Sequence, residues 1–167
     1  MGLSDPANIE NEIAEGWNLF RAGHEDEAIE RFRRLAEQHP ADPRAHFEFG
    51  GSLDAAGHEA GAIPEYRRAI ELGLAGDDMP RVLLQLGSSL RNVGEHGEAV
   101  RILSEGGERF PGHAPLRFFL ALALHDAGRH QEAISGALGL AFSTPDSDEM
   151  AEYGGVMRRY LDALKKR

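Results

Sequence analysis

Cysteine is absent from the 167 residues, and with it any disulfide framework, thiolate metal site or cysteine nucleophile. Long apolar runs are absent too: none approaches the ~20 residues that a membrane-crossing helix requires. The N-terminus, Met1-Gly2-Leu3-Ser4-Asp5-Pro6, has no basic-then-apolar run, so no secretory leader is expected, and Pro6 stands where a myristoylation signal places Ser or Thr. There is no Gly-rich phosphate loop after a strand, no His-Glu-x-x-His and no Gly-x-Ser-x-Gly. Carboxylates are plentiful but fall on polar helix faces, with no matched acid and base. The eight histidines contain no His-x-x-x-His helical pair. Neither an enzyme nor a bound metal or other cofactor is expected. A cytoplasmic location and the absence of a membrane partner follow from the same gaps.

Positive charge is scarce in the first half. Residues 1–79 carry 17 acids and 7 bases, whereas residues 80–167 carry 11 of each, which places the whole net charge of −10 at the N-terminal end. Phosphate backbones are held chiefly by Lys and Arg, so a nucleic-acid partner is not expected. The aliphatic and aromatic content, 41%, is enough for a folded chain.

What the sequence does contain is a repeat. Gly23, Gly57, Gly94 and Gly128 lie 34, 37 and 34 residues apart, and each is followed five residues later by alanine: Ala28, Ala62, Ala99 and Ala133. Four residues before each glycine stands Leu19, Leu53, Leu90 or Leu124, and three before that a small residue, Gly16, Gly50, Gly87 or Ala121. Four residues after each alanine come Phe32, Tyr66, Leu103 and Ala137, the last a weak member of the set. Pro40, Pro111 and Pro145 follow the alanine by twelve residues, with Leu74 in that place in the second repeat. Apolar residues three and four apart make one helix face, so each repeat reads as two amphipathic helices. Glycine ends the first helix and proline stops the second. His24, His58, His96 and His130 fall at the turn between them and read as turn residues.

Period and positions resemble the tetratricopeptide repeat, a helix–turn–helix unit of about 34 residues. The segments Ala62-Ile63-Pro64-Glu65-Tyr66-Arg67-Arg68-Ala69-Ile70 and Leu86-Gly87-Ser88-Ser89-Leu90-Arg91-Asn92-Val93-Gly94 are further similar to a family of small bacterial tetratricopeptide proteins known as group 5. The resemblance implies an all-α fold, a right-handed α–α superhelix, forming a single domain over residues 1–167. Its four repeats span about 9–42, 43–76, 80–113 and 114–147, and a capping helix at about 148–166 is expected to cover the edge left by repeat four. It also implies a scaffold that binds a peptide or helix of another protein in its concave groove, with self-assembly into a homodimer as the alternative. Glu12 and Glu15 depart from the apolar pattern in the first helix, as terminal repeats do. The turn Ala75–Met79 is three residues longer than its counterparts and is expected to be an ordinary longer loop. Gly106, Gly107, Gly136, Gly139, Gly154 and Gly155 fall inside expected helices, where they are expected to allow close helix contacts.

In such an array the first helix of each repeat lines the inner surface. The stripe opposite the packed face gives Ile13, Trp17, Phe20 and Arg21 in repeat one, and Phe47 and Asp54 in repeat two. Repeat three gives Ser88, Arg91 and Asn92, and repeat four Phe118, Leu122 and His125, while Arg44, Arg81 and Gln85 can reach the same surface. Trp17 and Arg91 have two readings each. Trp17 either packs internally or anchors a peptide; Arg91 is either a solvated residue or the partner of a ligand carboxylate. The resemblance also excludes one specialised function. Relatives that clamp the C-terminal carboxylate of heat-shock chaperones use asparagines where this chain has Trp17, Gly51, Ser88 and Leu122.

Overall fold

The computed structural model describes residues 6–143, 152–156 and 159. Eight helices follow in chain order: α1 (Pro6–Arg21), α2 (Glu25–Gln38), α3 (Pro43–Ala55), α4 (Glu59–Glu71), α5 (Asp78–Asn92), α6 (His96–Arg109), α7 (Ala114–Asp126) and α8 (His130–Ser143). Residues 152–156 are helical again, and there is no strand among the described residues. The fold is all-α, as the repeat pattern implies.

Every first helix ends in the same way. The N–H of the residue after the repeat glycine donates to the carbonyl five residues back: His24 to Leu19 at 3.0 Å, His58 to Leu53 at 2.8 Å, Glu95 to Leu90 at 2.9 Å and Arg129 to Leu124 at 2.8 Å. This six-to-one bond closes a Schellman turn and requires a left-handed residue in the middle. The glycines supply it, with φ of +87° at Gly23, +80° at Gly57, +90° at Gly94 and +76° at Gly128. The leucine-to-glycine spacing in the sequence is therefore the spacing of this bond. Second helices stop at Gln38 and Arg109, just before the loops that hold Pro40 and Pro111. Lacking a proline there, α4 closes instead on Gly73 at φ +88°, with Leu74 N–H donating to the Ala69 carbonyl at 3.0 Å. The loop to α5 then spans residues 72–77, against 39–42 and 110–113 elsewhere. The Asp42 carboxylate caps α3 by accepting from the Arg44 N–H at 2.8 Å.

The two helices of a repeat meet where a missing side chain faces a large one. A Cβ added at Gly16 would lie 2.5 Å from the Phe32 ring, one at Gly50 2.8 Å from the Tyr66 ring, and one at Gly87 2.7 Å from Leu103 Cδ2. Phe32, Tyr66 and Leu103 are fully buried. In the fourth repeat Ala121 faces a helix whose corresponding residue, Ala137, is exposed. The expectation for the helical glycines holds in part. A Cβ at Gly106 would meet Leu116 Cδ2 at 2.9 Å, but Gly107 and Gly155 have nothing within 4 Å and Gly136 touches Ala121 Cβ only at 4.0 Å. Gly139 lies outside the described side chains.

Neighbours along the stack differ on its two sides. First helices lie backbone to backbone, α1 with α3, α3 with α5 and α5 with α7, whereas α2, α4, α6 and α8 do not approach one another in this way, and α4 reaches α6 through the long side chains of the Arg67–Glu98 ion pair at 2.8 Å. A stack held closer on one side than the other curves toward that side, so α1, α3, α5 and α7 form the inner face. Buried apolar residues fall into two clusters. A long one runs from Phe47 through Tyr66, Leu86, Leu103 and Leu116 to Ala133. A shorter one holds Ile9, Ile13, Phe32, Leu35, Ala36 and Ala45. Leu90 and Leu124 are buried, whereas Leu19 and Leu53 are half-buried.

A further helical stretch follows α8, as expected, and its residues Tyr153 and Val156 pack on the long cluster, with Tyr153 close to Arg81 of α5 and Tyr66 of α4. Ile134 on α8 is 61% exposed. A tyrosine needs a polar neighbour for its hydroxyl as well as an apolar bed for its ring. The rest of the expected capping helix lies outside the described residues.

Two glycines test the packing argument in opposite directions. Overpacking a tight contact costs about 1–3 kcal/mol, more than the ~1 kcal/mol of helix propensity that alanine recovers over glycine. Gly87→Ala is expected to lower the melting temperature, and Gly107→Ala to raise it by about 2–4 °C. Thermal unfolding followed by circular dichroism reads both.

Candidate functional site

The inner face is built from side chains that recur at the repeat period, and its polar members bond to one another across repeats. Trp17 Nε1 on α1 donates to Glu48 Oε2 on α3 at 2.6 Å. Arg44 on α3 pairs with Glu10 on α1 and lies 3.9 Å from both Glu48 and Asp78, the latter on α5. Ser89 on α5 donates to Asp54 Oδ1 on α3 at 2.7 Å. Arg91 on α5 donates to Asp126 Oδ2 on α7 at 2.8 Å. Each bond joins first helices of successive repeats. Together they cross the seam between the two apolar clusters and continue to the last repeat.

Several expected groove residues are thereby committed internally. Trp17 stacks at a tilt, 5.1 Å from Phe32 and 5.6 Å from Phe20, and Gly51 leaves the space its ring edge occupies, since a Cβ there would be 3.4 Å from Cζ2. The internal reading of Trp17 is the one its neighbours support. Arg91 likewise spends its charge on Asp126, with side chains only 10% and 14% exposed; its second nitrogen donates to Asn92 Oδ1 at 3.1 Å. Asn92 donates to Glu59 Oε1 at 3.2 Å. Ile13, Phe47 and Leu122 are buried rather than offered to a ligand. Their positions on the stripe are the seam between neighbouring first helices, and that seam is filled by their side chains. Arg21 is exposed and donates to Asn18, and Phe20 is half-buried beside Trp17.

Around α5 the surface is more open. The Arg81 guanidinium lies 5.6 Å over the Phe47 ring and donates to Asp78 at 2.9 Å. Gln85, one turn on, has its carbonyl oxygen buried without a hydrogen-bond partner, and Ser88 follows, half-exposed. Phe118 stands edge-on to Phe119. His125 Nδ1 faces His130 Nδ1 at 3.2 Å across the turn from α7 to α8. Among the described residues no group of three or more His, Asp or Glu side chains could hold a metal ion. No helix among them is long and apolar enough to cross a membrane. The surface near Arg81 already has an occupant. Burial raises the Tyr153 phenol above its ordinary value, against the pull of the Arg81 guanidinium that its hydroxyl faces.

Sequence reasoning missed Glu48 and Ser89. Glu48 and Asp54 are acids in a mostly apolar setting. Burial raises the Glu48 carboxyl against the opposing effects of Trp17, Arg44 and Arg81. Burial also raises Asp54, with the Glu59 charge adding to it and Ser89 opposing. Burial pushes the Tyr66 hydroxyl up as well, helped by the negative charges of Asp54 and Glu48. Glu48 is bonded by Trp17 of α1 and Asp54 by Ser89 of α5, so these acids tie neighbouring first helices together. The one sequence cue was spacing: Glu48 follows Trp17 by 31 residues, close to one repeat.

The described family "Tetratrico peptide repeat" matches residues 43–164, and "Tetratricopeptide repeat" matches residues 15–42. No curated protein matches the chain in sequence. Among solved structures, MamA 41-end from Desulfovibrio magneticus RS-1 superposes with a TM-score of 0.71 at 17% identity, covering 95% of this chain and 88% of that one. MamA AMB-1 gives 0.72 at 18% identity over 84% and 81% of the two chains, and another MamA crystal structure 0.69 at 20% over 91% and 78%. At such identities the likeness is one of fold.

Two substitutions probe the internal bonds. Removing one member of a buried ion pair leaves the other charge less well compensated, so Arg91→Ala is expected to cost about 3 kcal/mol. Denaturant unfolding measures it, and a solvated arginine would leave the midpoint unchanged. For Asp54 the raised carboxyl pKa means that the fold favours the protonated acid. That contribution is complete below the ordinary carboxylate pKa and is lost as the pH rises through the folded value. Asp54→Asn still accepts from Ser89 but never ionises. It is expected to melt above the wild type at pH 7, with the gap narrowing as the pH falls through the raised carboxyl pKa and closed below the ordinary carboxylate pKa.

Proposed function

Because the chain belongs to the tetratricopeptide repeat family, a class of protein-interaction scaffolds and not of enzymes, we propose that it holds a helix of a partner protein on its inner face, between α3, α5 and α7. One observation carries this reading. A helical stretch of the chain itself already packs on the long cluster through Tyr153 and Val156, with Tyr153 beside Arg81 of α5. The surface near Arg81 thus offers an apolar floor and a polar rim to such a guest. Gln85 and Ser88 provide an unpaired acceptor and a hydroxyl beside it. Trp17 and Arg91 shape the array without contacting the partner. The reading treats residues 1–167 as one solenoid working in a bacterial cytoplasm, in keeping with a chain free of cysteine.

A second reading, self-association, is favoured by α8. Its residue Ile134 is 61% exposed and Gly136 and Ala137 beside it are exposed as well. An apolar terminal edge is the natural joint between two solenoids. Sedimentation across a dilution series tests it: a dimer that Ile134→Glu dissociates supports the reading, and a monomer at every concentration removes it.

The groove is tested with a photo-reactive phenylalanine analogue placed at Ser88, or at the exposed Arg101 of α6 as control. In the source cell the first is expected to cross-link to another protein and the second not. Equal yields at both positions would defeat the groove reading.

A further inference from the structure

Residues 152–156 sit where a partner helix would, and their pattern says what kind of helix the face accepts. Tyr153 and Val156, three apart, lie on one side of a helix. Both are half-buried and both pack on the long cluster, whereas Glu152, Gly155 and Arg159 are exposed. The Tyr153 ring rests on the apolar spine while its hydroxyl faces Arg81, whose guanidinium also covers Phe47. An aromatic hydroxyl therefore meets a fixed cation, and an aliphatic side chain one turn later meets the spine.

The segment is also made to be weak. Gly154 and Gly155 follow each other within it, and glycine is among the poorest helix formers. At Gly155 a Cβ would meet nothing within 4 Å, so packing does not require a glycine there. A residue that weakens the helix without improving its fit keeps the segment displaceable.

We infer that the C-terminal segment is the resident ligand of the inner face, and that the partner is a helix presenting tyrosine and, three residues on, an aliphatic side chain, which binds by displacing it. The inference rests on the groove reading above and deepens it. Binding is then an exchange, and the affinity for a partner is reduced by the fraction of time the face is self-occupied.

A chain without cysteine makes single thiols clean probes. Val156→Cys and Glu152→Cys are each introduced into the full-length protein, and their rates of alkylation compared after melting curves have shown both variants folded. A docked thiol reacts only through the open state, so the rate ratio reports the undocking equilibrium. Val156→Cys is expected to react about tenfold more slowly than Glu152→Cys, a modest protection set by a weakly held segment. Adding Gly155→Ala should slow it about fivefold further, and adding Arg81→Ala should speed it. The probe for the partner is a synthetic peptide of the sequence 148–164 carrying Gly155→Ala. It should accelerate alkylation of Val156→Cys saturably, and the same peptide with Tyr153→Ala should not.

Equal rates at 152 and 156 would overturn the inference, as would a peptide equally effective without its tyrosine. Either result, combined with specific cross-linking from position 88, would leave the groove reading standing while this one falls.

Discussion

A large side chain pressed onto bare backbone sets the distance between the two helices of each repeat, and the rest of the molecule is arranged around that distance. At Gly16, Gly50 and Gly87 the first helix has no Cβ where Phe32, Tyr66 and Leu103 arrive from the second. Any larger residue would push the pair apart. The Schellman turns then fix the angle at which the chain reverses, through the bond from the residue after glycine to the leucine carbonyl. Distance and angle together decide which helix of the next repeat is met, and they place first helices against first helices. Curvature is thus a consequence of local chemistry repeated at a fixed interval. The fourth repeat shows the contact being relaxed: with Ala121 opposite an exposed Ala137, α8 is held by Ala133 and Leu140 on its buried side.

Polar bonds do what apolar packing leaves undone. The buried residues divide at α3, with Ala45 in the shorter cluster and Phe47 in the longer. Across that division run the Trp17–Glu48 bond and the Arg44–Glu10 pair. Further along, Asp54 and Ser89, and then Arg91 and Asp126, repeat the same role. Hydrogen bonds of this kind add modest net stability but are costly to leave half-made, so they fix register more firmly than they add energy. Burying Glu48 and Asp54 opposes their ionisation, and their partners offset that cost only in part, since both carboxyls remain raised. The acidic surplus of the N-terminal half is therefore not wholly a solvated coat. Some of it is structural.

The repeat, the helix ends and the all-α architecture were legible in the sequence because each depends on neighbours within one hairpin. Glycine with positive φ, the leucine before it and the small residue facing a large one are all local, and four copies reinforce the pattern. The inner stripe was legible as positions but not as contacts. Arg91 on its own helix looks solvated, and only the next repeat, 35 residues on, supplies Asp126. Ser88 and Ser89 are adjacent in sequence, and nothing local tells which one turns inward to Asp54. Ile13, Phe47 and Leu122 fall on the stripe by counting, yet the curvature that closes neighbouring first helices buries them. Glycines mid-helix were equally ambiguous: Gly106 abuts Leu116, while Gly107, one residue later, faces open space.

The destination of the C-terminal segment lies furthest beyond sequence reasoning, because its apolar pattern fits any apolar surface. Two such surfaces exist, the edge of α8 and the inner face near α5. Hydrophobic burial is non-directional and cannot choose between them. Hydrogen bonding can. The hydroxyl of Tyr153 loses water when its ring is buried, and a desolvated hydroxyl without a partner is costly. Arg81 lies within reach on the inner face, already held over Phe47 and bonded to Asp78, so little further ordering is needed to meet a hydroxyl. The inner face therefore discriminates by one polar group set in an apolar bed. A surface that selects by a single pre-oriented cation accepts any helix that brings the matching hydroxyl, and this makes a self-ligand and a partner interchangeable on it.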